Sequence, residues 1–282
     1  MQKFKKSLRL QSFLIATKKS GRSIGFVPTM GSLHEGHISL VQKSKSENDV
    51  TIVSIYINPS QFNDENDFIN YPKSLENDIS LLKGIKCDVL FLPNTKEMYK
   101  DGFSLIDVDL GNLNLILESK KRPGHFNGVV FIVHKLFKII EPNKAYFGEK
   151  DFQQLLIIKK LAQSHFKKIS VIGCPTVRDN GGLAMSSRNQ KLTAKQLDFA
   201  KKAFNLLKNL KEIIKKNSVK ESKIFVNDFF YQYEEITLDY FEIIEESNFS
   251  LVNSVIKNKM YRMMIAFKVG DVRLIDNLKL KI

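Results

Sequence analysis

Short apolar runs alternate with amphipathic segments along the first 176 residues of the chain. The runs are rich in β-branched residues, which is typical of strands buried on both faces of a parallel sheet. We place such strands at 23–27, 50–58, 87–93 and 169–175. The segments between them carry apolar residues at helical spacing, which predicts helices at 34–46, 74–83 and 151–165. This alternation predicts an α/β fold with a parallel sheet and right-handed crossovers.

Two further stretches of this first part have a different pattern. The run 129–140 is apolar almost throughout and fits a strand or a helix equally well. The N-terminal segment is basic, and its apolar positions suit a short amphipathic helix. Those positions are Phe4, Leu8, Leu10, Phe13 and Leu14.

The composition changes after about Arg188. A long lysine-rich amphipathic helix is predicted over 193–217, and the segment 262–280 is typical of two strands joined near Gly270 and Asp271. These elements predict a smaller α+β domain at the C-terminus. We therefore divide the chain into domains at 1–176 and 177–282.

The composition is that of an ordinary globular protein, and it also indicates the cellular compartment. The chain has 282 residues, of which 43% are hydrophobic, and no stretch approaches the roughly 20 apolar residues of a membrane-spanning helix. The basic N-terminus lacks the long apolar core and small-residue cleavage site of a signal peptide. Cys87 and Cys174 lie in apolar runs without a Cys-x-x-Cys motif, which predicts buried reduced thiols. We expect a cytoplasmic protein without a membrane partner.

The net charge of +14 suggests a polyanion partner at first sight. The 44 basic residues are spread over the whole chain, however, and only seven are arginines. A lysine-rich solvated surface gives the same net charge. We favour that interpretation over a nucleic-acid-binding surface and expect no nucleic-acid partner.

The motif PTMGSLHEGH at 28–37 follows a predicted strand and leads into a predicted helix. Ligands of open α/β sheets bind at this position, beside helix N-termini. Gly31 lets the backbone turn tightly, and His34 and His37 lie on one helix face with Gly36 between them. Imidazoles can donate hydrogen bonds to phosphate oxygens and, if protonated, neutralise developing charge. The alternatives are a histidine pair on a surface helix and a metal pair, for which no third ligand follows.

Two other motifs contain cations in settings that suit phosphate. In GEKDFQQL at 148–155, Lys150 stands at a helix start, and the amides of Gln153 and Gln154 suit a polar substrate, although an ordinary capped helix start explains the pattern as well. In MSSRN at 185–189, Arg188 and two serines follow a glycine-bearing loop, which suits a mobile phosphate clamp or a solvated linker.

Two loops with polar residues complete the set. INPSQF at 57–62 puts Asn58 and Gln61 just past the most buried predicted strand. KRPGHFNGV at 121–129 surrounds His125 with proline and glycine, which indicates a loop with specific backbone requirements.

Together these motifs resemble the pantoate–β-alanine ligase (pantothenate synthetase) family. The resemblance covers nearly the whole chain, because VPTMGSLHEGH, VSIYINPSQF followed by DFINYP, RPGHFNGV, FGEKDFQQL, GLAMSSRN and RLIDN occur in the expected order. INPSQF and FGEKDFQQL separate this family from other adenylyl-transferring enzymes, such as nicotinamide-nucleotide adenylyltransferases, that share the HxGH element. The resemblance implies a Rossmann-type nucleotidyltransferase domain with a C-terminal lid, in a homodimer.

The implied reaction condenses pantoate with β-alanine, uses ATP and Mg²⁺, and passes through pantoyl adenylate with release of pyrophosphate and AMP. By the match, the groups that act on the phosphates are His34, His37, Lys150, Ser186, Ser187 and Arg188, with His37 as the catalytic acid. Residues implied to line the nucleotide site are Met30, Gly31, Ser32, Leu33, Glu35, Gly36, Gly148, Glu149, Asp151, Val177 and Met185. Residues implied to contact pantoate or its surroundings are Pro28, Met30, Asn58, Gln61, Phe62 and Gln154.

Two positions depart from the family pattern or leave it open. Asp78 is a candidate metal ligand, but its neighbour Asn77 is neutral where the family can have an acid. Asn180 and Gly181 stand where the family commonly has an acidic residue or proline, which suggests a looser loop before MSSRN.

Overall fold

The computed structural model describes residues 1–216 and 218–282. The chain divides into two compact units, Met1–Val177 and Arg178–Ile282. None of the described helices has the length and apolar character needed to cross a membrane.

The first unit contains a six-stranded sheet in which every pairing is parallel, which confirms the predicted fold class. Its strands are β1 Gln2–Phe4, β2 Ile24–Thr29, β3 Val50–Ile55, β4 Val89–Phe91, β5 Lys144–Gly148 and β6 Ser170–Cys174. The order across the sheet is β1-β4-β3-β2-β5-β6. Strands β2, β3 and β4 are buried on both faces, as their apolar sequences predict.

Helices connect these strands. They are α1 Ser7–Lys19, α2 Glu35–Glu47, α3 Glu65–Ile69, α4 Leu75–Gly84, α5 Thr95–Met98, α6 Glu118–Lys121, α7 His125–Ile140 and α8 Phe152–His165. The ambiguous run 129–140 is helical, as part of α7. Its β-branched and aromatic residues are accepted because α7 is buried on nearly every side.

The predicted N-terminal helix is correct only in part. The helix begins at Ser7, and Phe4 belongs to β1, which pairs in parallel with β4. The sheet edge supplies hydrogen bonds to residues 2–4, and the Phe4 ring packs against Phe13 with centroids 5.5 Å apart. Leu8, assigned to the apolar face, is 76% exposed.

The described residues of the second unit form two α-helices, a short 3₁₀ helix and an antiparallel sheet. Its elements are α9 Ala194–Lys216, α10 Val219–Tyr231, β7 Ile236–Glu245, β8 Ser250–Leu251, β9 Met260–Val269 and β10 Val272–Lys281, with the sheet order β10-β9-β7-β8. The predicted hairpin at Gly270 and Asp271 is confirmed. The helix predicted over 193–217 is observed up to Lys216, and Asn217 lies outside the described residues.

The strand order positions the site. In the first unit, the chain builds outward from β2 in both directions, so the order reverses between β2 and β5. Ligands of doubly wound sheets bind in the crevice at the carboxyl ends of the strands at such a reversal. The residues after β2, β3 and β5 are those that the sequence analysis selected.

Candidate active site

The loop after β2 reaches the crevice in an unusual backbone conformation. Gly31 and Ser32 both have left-handed backbone angles, with φ of +83° and +50°. The Gly31 N–H donates to Thr29 Oγ1 at 3.2 Å, and the Ser32 and Leu33 N–H groups donate to the Asp78 carboxylate at 2.9 and 2.7 Å. These backbone donors are therefore used within the protein, where they shape the loop.

His34 and His37 cap the first turn of α2 with their own rings. His34 Nδ1 accepts the Gly36 N–H at 3.1 Å, and His37 Nδ1 accepts the His34 N–H at 3.3 Å, which makes a capping box from two imidazoles. The ring centroids lie 4.1 Å apart. A nitrogen that accepts a hydrogen bond carries no proton, so each ring holds its proton on Nε2.

Both imidazoles are neutral at pH 7. Burial, and after it the charge of Lys150, lowers the pKa of His34 to about 4, whereas Asp151 acts in the opposite direction. Burial, then His34 and Lys150, lowers the pKa of His37 to about 3. The pair can therefore donate hydrogen bonds through Nε2 without carrying charge.

Lys150 supplies the positive charge beside the histidines. It follows Gly148, the last residue of β5, and lies in a single 3₁₀ turn, Glu149–Asp151, that leads into α8. Its effect on the histidine pKa values shows that its charge reaches both rings. Lys150 Nζ also lies 3.9 Å from Asp151 Oδ2.

Gln61 lies after β3 in a network that fixes its side chain. The buried Asn58 donates from Nδ2 to Gln61 Oε1 at 3.2 Å and to the Gly128 carbonyl at 3.0 Å. Gln61 Nε2 donates to Met30 Sδ at 2.9 Å, which joins the loops after β2 and β3. Tyr99 Oη donates to Asn58 Oδ1 at 2.5 Å. Asn58 thus holds Gln61, and sequence reasoning missed Tyr99, which no motif marks.

Arg122 and His125 hold the backbone of the same turn. The Gln61 carbonyl accepts from His125 Nδ1 at 2.7 Å and from Arg122 Nη2 at 3.3 Å. Burial, and after it the Arg122 charge, lowers the pKa of His125 to about 4, so its Nε2 is an acceptor for Arg122 Nη1 at 3.1 Å. The RPGHFNG motif thus supports the glutamine.

Gly128 is expected to tolerate no side chain. A Cβ there would lie 2.2 Å from the Ser60 carbonyl oxygen and 2.7 Å from the Gln61 backbone nitrogen, neither of which can rotate away. We expect Gly128→Ala to lower the free energy of unfolding by about 3 kcal/mol, as overpacking does. Gly84→Ala is the matched control, because a Cβ at Gly84 meets no atom within 4 Å. Equal losses in urea unfolding would contradict the close contact.

Three histidines, the half-buried His34 and His37 and the buried His125, make folding stability depend on pH. The folded pKa values of His34, His37 and His125 lie below the reference value of 6.5, so the unfolded chain binds protons that the folded chain does not. Stability is therefore fully present above pH 6.5 and falls as the pH drops towards 4, by at most about 1.4 kcal/mol per pH unit for each histidine. Urea unfolding at pH 7, 6 and 5 measures this, and a flat profile would contradict neutral imidazoles.

Gln153 and Gln154 have different environments despite adjacent positions. Gln153 is buried, and its amide group contacts the segment 113–119 through the Leu113 and Ile116 carbonyls at 2.8 and 2.9 Å. Gln154 is half-buried on another face of α8. Of these two glutamines, only Gln154 is a substrate-binding candidate.

The apolar candidates near Gln61 are half-buried. Pro28, Met30 and Phe62 keep part of their surface exposed. The Phe62 ring packs edge-on against Phe68 and Tyr71, with centroids 5.3 and 5.6 Å away. This aromatic cluster gives Phe62 a fixed orientation.

The predicted clamp residues of the second unit form one turn. Ser186 caps a 3₁₀ helix, Ser187–Lys191, by accepting the Arg188 N–H at 3.3 Å. Ser187 is buried, and Met185 and Arg188 are half-buried.

The segment before this turn is anchored by an ion pair that sequence reasoning missed. Arg178 donates to both oxygens of the Asp276 carboxylate, at 2.7 and 2.9 Å, and its guanidinium lies 4.1 Å from the centroid of Phe204. Asp276 belongs to the RLIDN motif, and its carboxylate could have indicated a basic side chain as partner. The loop between Arg178 and the 3₁₀ turn is also held by hydrogen bonds, because Asp179 Oδ1 accepts the Gly181 and Leu183 N–H groups at 2.9 Å each. This bonding does not fit the looser loop expected there.

The structure thus brings together two sets of predicted residues in the first unit. The charges of Lys150 and Asp151 act on His34 of the histidine pair, and Gln61 contacts Met30 of the loop before that pair. Gly148 and Glu149 adjoin Lys150, Glu35 and Gly36 lie in the capped turn, and Val177 ends the unit. The residues 185–188 belong to the second unit. Asp78 contacts the backbone of the loop before α2 through its carboxylate.

Comparison with known proteins identifies the family. The pantoate-beta-alanine ligase family model matches residues 2–279. The chain is 40% identical to a pantothenate synthetase of Flavobacterium psychrophilum over 279 residues, with 99% of each chain covered, and 42% identical to that of Acetivibrio thermocellus over 270 residues, with 95% of each covered.

Solved structures agree with this match. A pantothenate synthetase from Thermus thermophilus superposes with a TM-score of 0.91 at 34% identity, with 100% of both chains covered. A pantoate–β-alanine ligase from Francisella tularensis, complexed with β-γ ATP and β-alanine, has a TM-score of 0.80 at 40% identity, with 99% of this chain and 97% of that chain covered. The present chain therefore belongs to the pantoate–β-alanine ligase family of enzymes.

Proposed function

We propose that this enzyme condenses pantoate with β-alanine in two steps, through pantoyl adenylate, and converts ATP into AMP and pyrophosphate. The observation that carries the proposal is a capped pair of neutral imidazoles beside the charge of Lys150 at the strand reversal, with Gln61 held against Met30 of the same loop. The likeness to an enzyme crystallised with an ATP compound and β-alanine supports the same assignment.

In the first step, a pantoate carboxylate oxygen attacks the α-phosphorus of ATP, and the bond to pyrophosphate breaks. His34 and His37 donate from Nε2 to phosphate oxygens, and the Lys150 ammonium balances the charge that develops on them. Because the rings are fixed by their own caps, they need no reorganisation during the step. His37 is in this proposal a neutral hydrogen-bond donor that keeps its Nε2 proton, not an imidazolium.

In the second step, the β-alanine amine attacks the acyl carbon of the adenylate. The bond between the acyl carbon and the phosphate oxygen breaks, AMP leaves, and the amine loses a proton as the amide forms. A free carboxylate would have to expel an oxide, so adenylation supplies the leaving group. Water must be excluded meanwhile, because it would hydrolyse the mixed anhydride.

Further contacts are proposed from the resemblance. Gln61 and Gln154 bind the polar groups of pantoate, and Pro28, Met30 and Phe62 face its gem-dimethyl group. The adenosine site is proposed at Met30, Gly148, Asp151, Val177 and Met185, and the triphosphate contacts of the second unit at Ser186, Ser187 and Arg188. The domain 1–176 is proposed to bind ATP and pantoate, 177–282 to act as a lid, and the enzyme to be a cytoplasmic homodimer.

Magnesium is expected to accompany ATP in this proposal. Among residues 1–216 and 218–282, no cluster of three or more His, Cys, Asp or Glu side chains is arranged to hold a metal ion. The candidate carboxylate of Asp78 is buried and already accepts two backbone N–H groups. The described residues do not form a magnesium site. Mg²⁺ commonly binds through substrate phosphates.

Isotope transfer tests the proposed chemistry. Pantoate labelled with ¹⁸O in its carboxylate should pass one label to AMP, because the carboxylate oxygen that attacks phosphorus stays bound to it when the acyl carbon–oxygen bond breaks. Exchange of labelled pyrophosphate into ATP should require pantoate and not β-alanine. Exchange with nicotinamide mononucleotide or an amino acid in place of pantoate would support a different adenylyl-transferring enzyme. Unlabelled AMP would contradict the adenylate.

A further inference from the structure

Asp78 lies where it can control the histidine loop. It belongs to α4, its side chain is 1% exposed, and its two oxygens face the backbone of residues 32 and 33. Oδ2 accepts the Ser32 N–H at 2.9 Å, and Oδ1 accepts the Leu33 N–H at 2.7 Å and the Ser74 hydroxyl at 3.2 Å. Hydrogen bonds to a carboxylate are among the stronger ones in proteins.

The loop requires such a partner. Ser32 and Leu33 are buried, and their N–H groups donate to the side chain of Asp78, not to the backbone carbonyls of a strand or helix. A buried amide without an acceptor is unfavourable. Ser32 also has a φ of +50°, which a side-chain-bearing residue keeps only when its surroundings enforce it.

The loop backbone and the carboxylate are matched in shape. A Cβ on Gly31 would lie 3.1 Å from Asp78 Oδ2 and 3.0 Å from Ile55 Cγ2. Because Gly31 has no side chain, the loop backbone can approach the Asp78 carboxylate closely.

A short covalent path connects this contact to the site. Leu33 precedes His34, whose ring caps α2 and whose N–H donates to His37. A displacement of the Leu33 amide therefore moves the Nε2 atoms of both imidazoles. Small misplacements of reacting groups can cost about 10²-fold in rate.

We propose that Asp78 is a positioning residue that clamps the loop 30–34 and thereby orients His34 and His37, and that it is not a Mg²⁺ ligand. This proposal rests on the proposed function for its kinetic consequence only. A hydrated Mg²⁺ ion needs access that a carboxylate with 1% exposure does not offer. The adjacent Asn77 adds no negative charge.

The variant Asp78→Asn tests the clamp, because asparagine keeps the shape but replaces one acceptor oxygen with an N–H donor. We expect the kcat of pantoate-dependent exchange to fall about 10²-fold. The Mg²⁺ concentration for half-maximal activity should stay within about twofold, and the Ser32 and Leu33 amides should exchange faster with deuterium. Glu76→Gln, an exposed position on the same helix, is the matched control and should change none of these.

A large increase in the Mg²⁺ requirement, with unchanged amide exchange, would overturn the proposal in favour of a metal ligand. If Asp78→Asn does not fold, Asp78→Glu replaces it, because glutamate keeps the charge but shifts both oxygens by one methylene. Amide exchange needs no substrate, so it tests the clamp even if pantoate supports no exchange. That last result would reject the proposed function and leave the clamp standing.

Discussion

Replacing Lys150 with methionine is expected to reduce pantoate-dependent pyrophosphate exchange by about 10³-fold, the scale of losing one preorganised group that stabilises developing charge. Methionine keeps most of the length of the side chain and removes only the ammonium. The charge of Lys150 lowers the pKa of both His34 and His37, so it lies beside the groups that are proposed to bind phosphate. The loss should therefore appear in kcat as well as in the KM for ATP.

A second measurement separates this role from a general charge effect. Without Lys150, the pKa values of His34 and His37 should rise towards 6.5, which NMR titration of the imidazoles can follow. Lys160→Met is the control, because Lys160 is an exposed lysine on α8 and its replacement removes the same charge. If Lys160→Met lost as much activity, or if the histidine pKa values stayed unchanged in Lys150→Met, the assigned position of the Lys150 charge would be wrong.

The overall fold could be predicted from the sequence, and so could the placement of the candidate-site motifs at strand ends, because each depends on local patterns. Apolar runs of strand length marked the sheet, and the phosphate motifs at 28–37 and 148–155 follow β2 and β5, between which the strand order reverses. A parallel sheet brings the carboxyl ends of its strands to one edge. Motifs that are distant in the sequence therefore lie at one edge of the sheet, and their role in ligand binding stays a prediction.

The protonation state of the histidines could not be predicted in this way. An exposed His-x-x-His pair has pKa values near 6.5, whereas here burial and then the charge of Lys150 lower the pKa of His34, and burial, His34 and Lys150 lower the pKa of His37. The sequence motif gives the spacing of His34 and His37 but not the hydrogen bonds of their Nδ1 atoms. The fold thus changes the proposed chemistry from charged to neutral donors.

The contacts of Asp78 and of the pair Gln153 and Gln154 could not be predicted from the sequence either. Asp78 is 46 and 45 residues from the amides it binds, so no local pattern connects it with Ser32 and Leu33. Gln153 and Gln154 are equivalent as sequence, and only the register of α8 buries the first against the segment 113–119. Such roles depend on tertiary contacts between distant parts of the chain.

If His37 acts as a neutral donor, replacing it with asparagine and replacing it with glutamine should affect activity differently. In asparagine, Oδ1 stands close to the place of Nδ1 and can accept the His34 N–H, but no donor reaches the place of Nε2. In glutamine, the amide N–H reaches about as far as Nε2. We therefore expect His37→Asn to lose about 10³-fold in exchange and His37→Gln to lose roughly tenfold.

The pH profile provides the second half of this test. A pKa of about 3 keeps His37 neutral, so kcat/KM should show no acidic limb from this residue between pH 5 and 8. An imidazolium acid would instead lose activity as the pH rises through its pKa, and neither amide could replace it. Equal losses in the two variants, together with a limb near pH 6.5 that both abolish, would reject the neutral donor. Because the two amides differ by one methylene and carry no charge, a difference between them reports the reach of the donated proton.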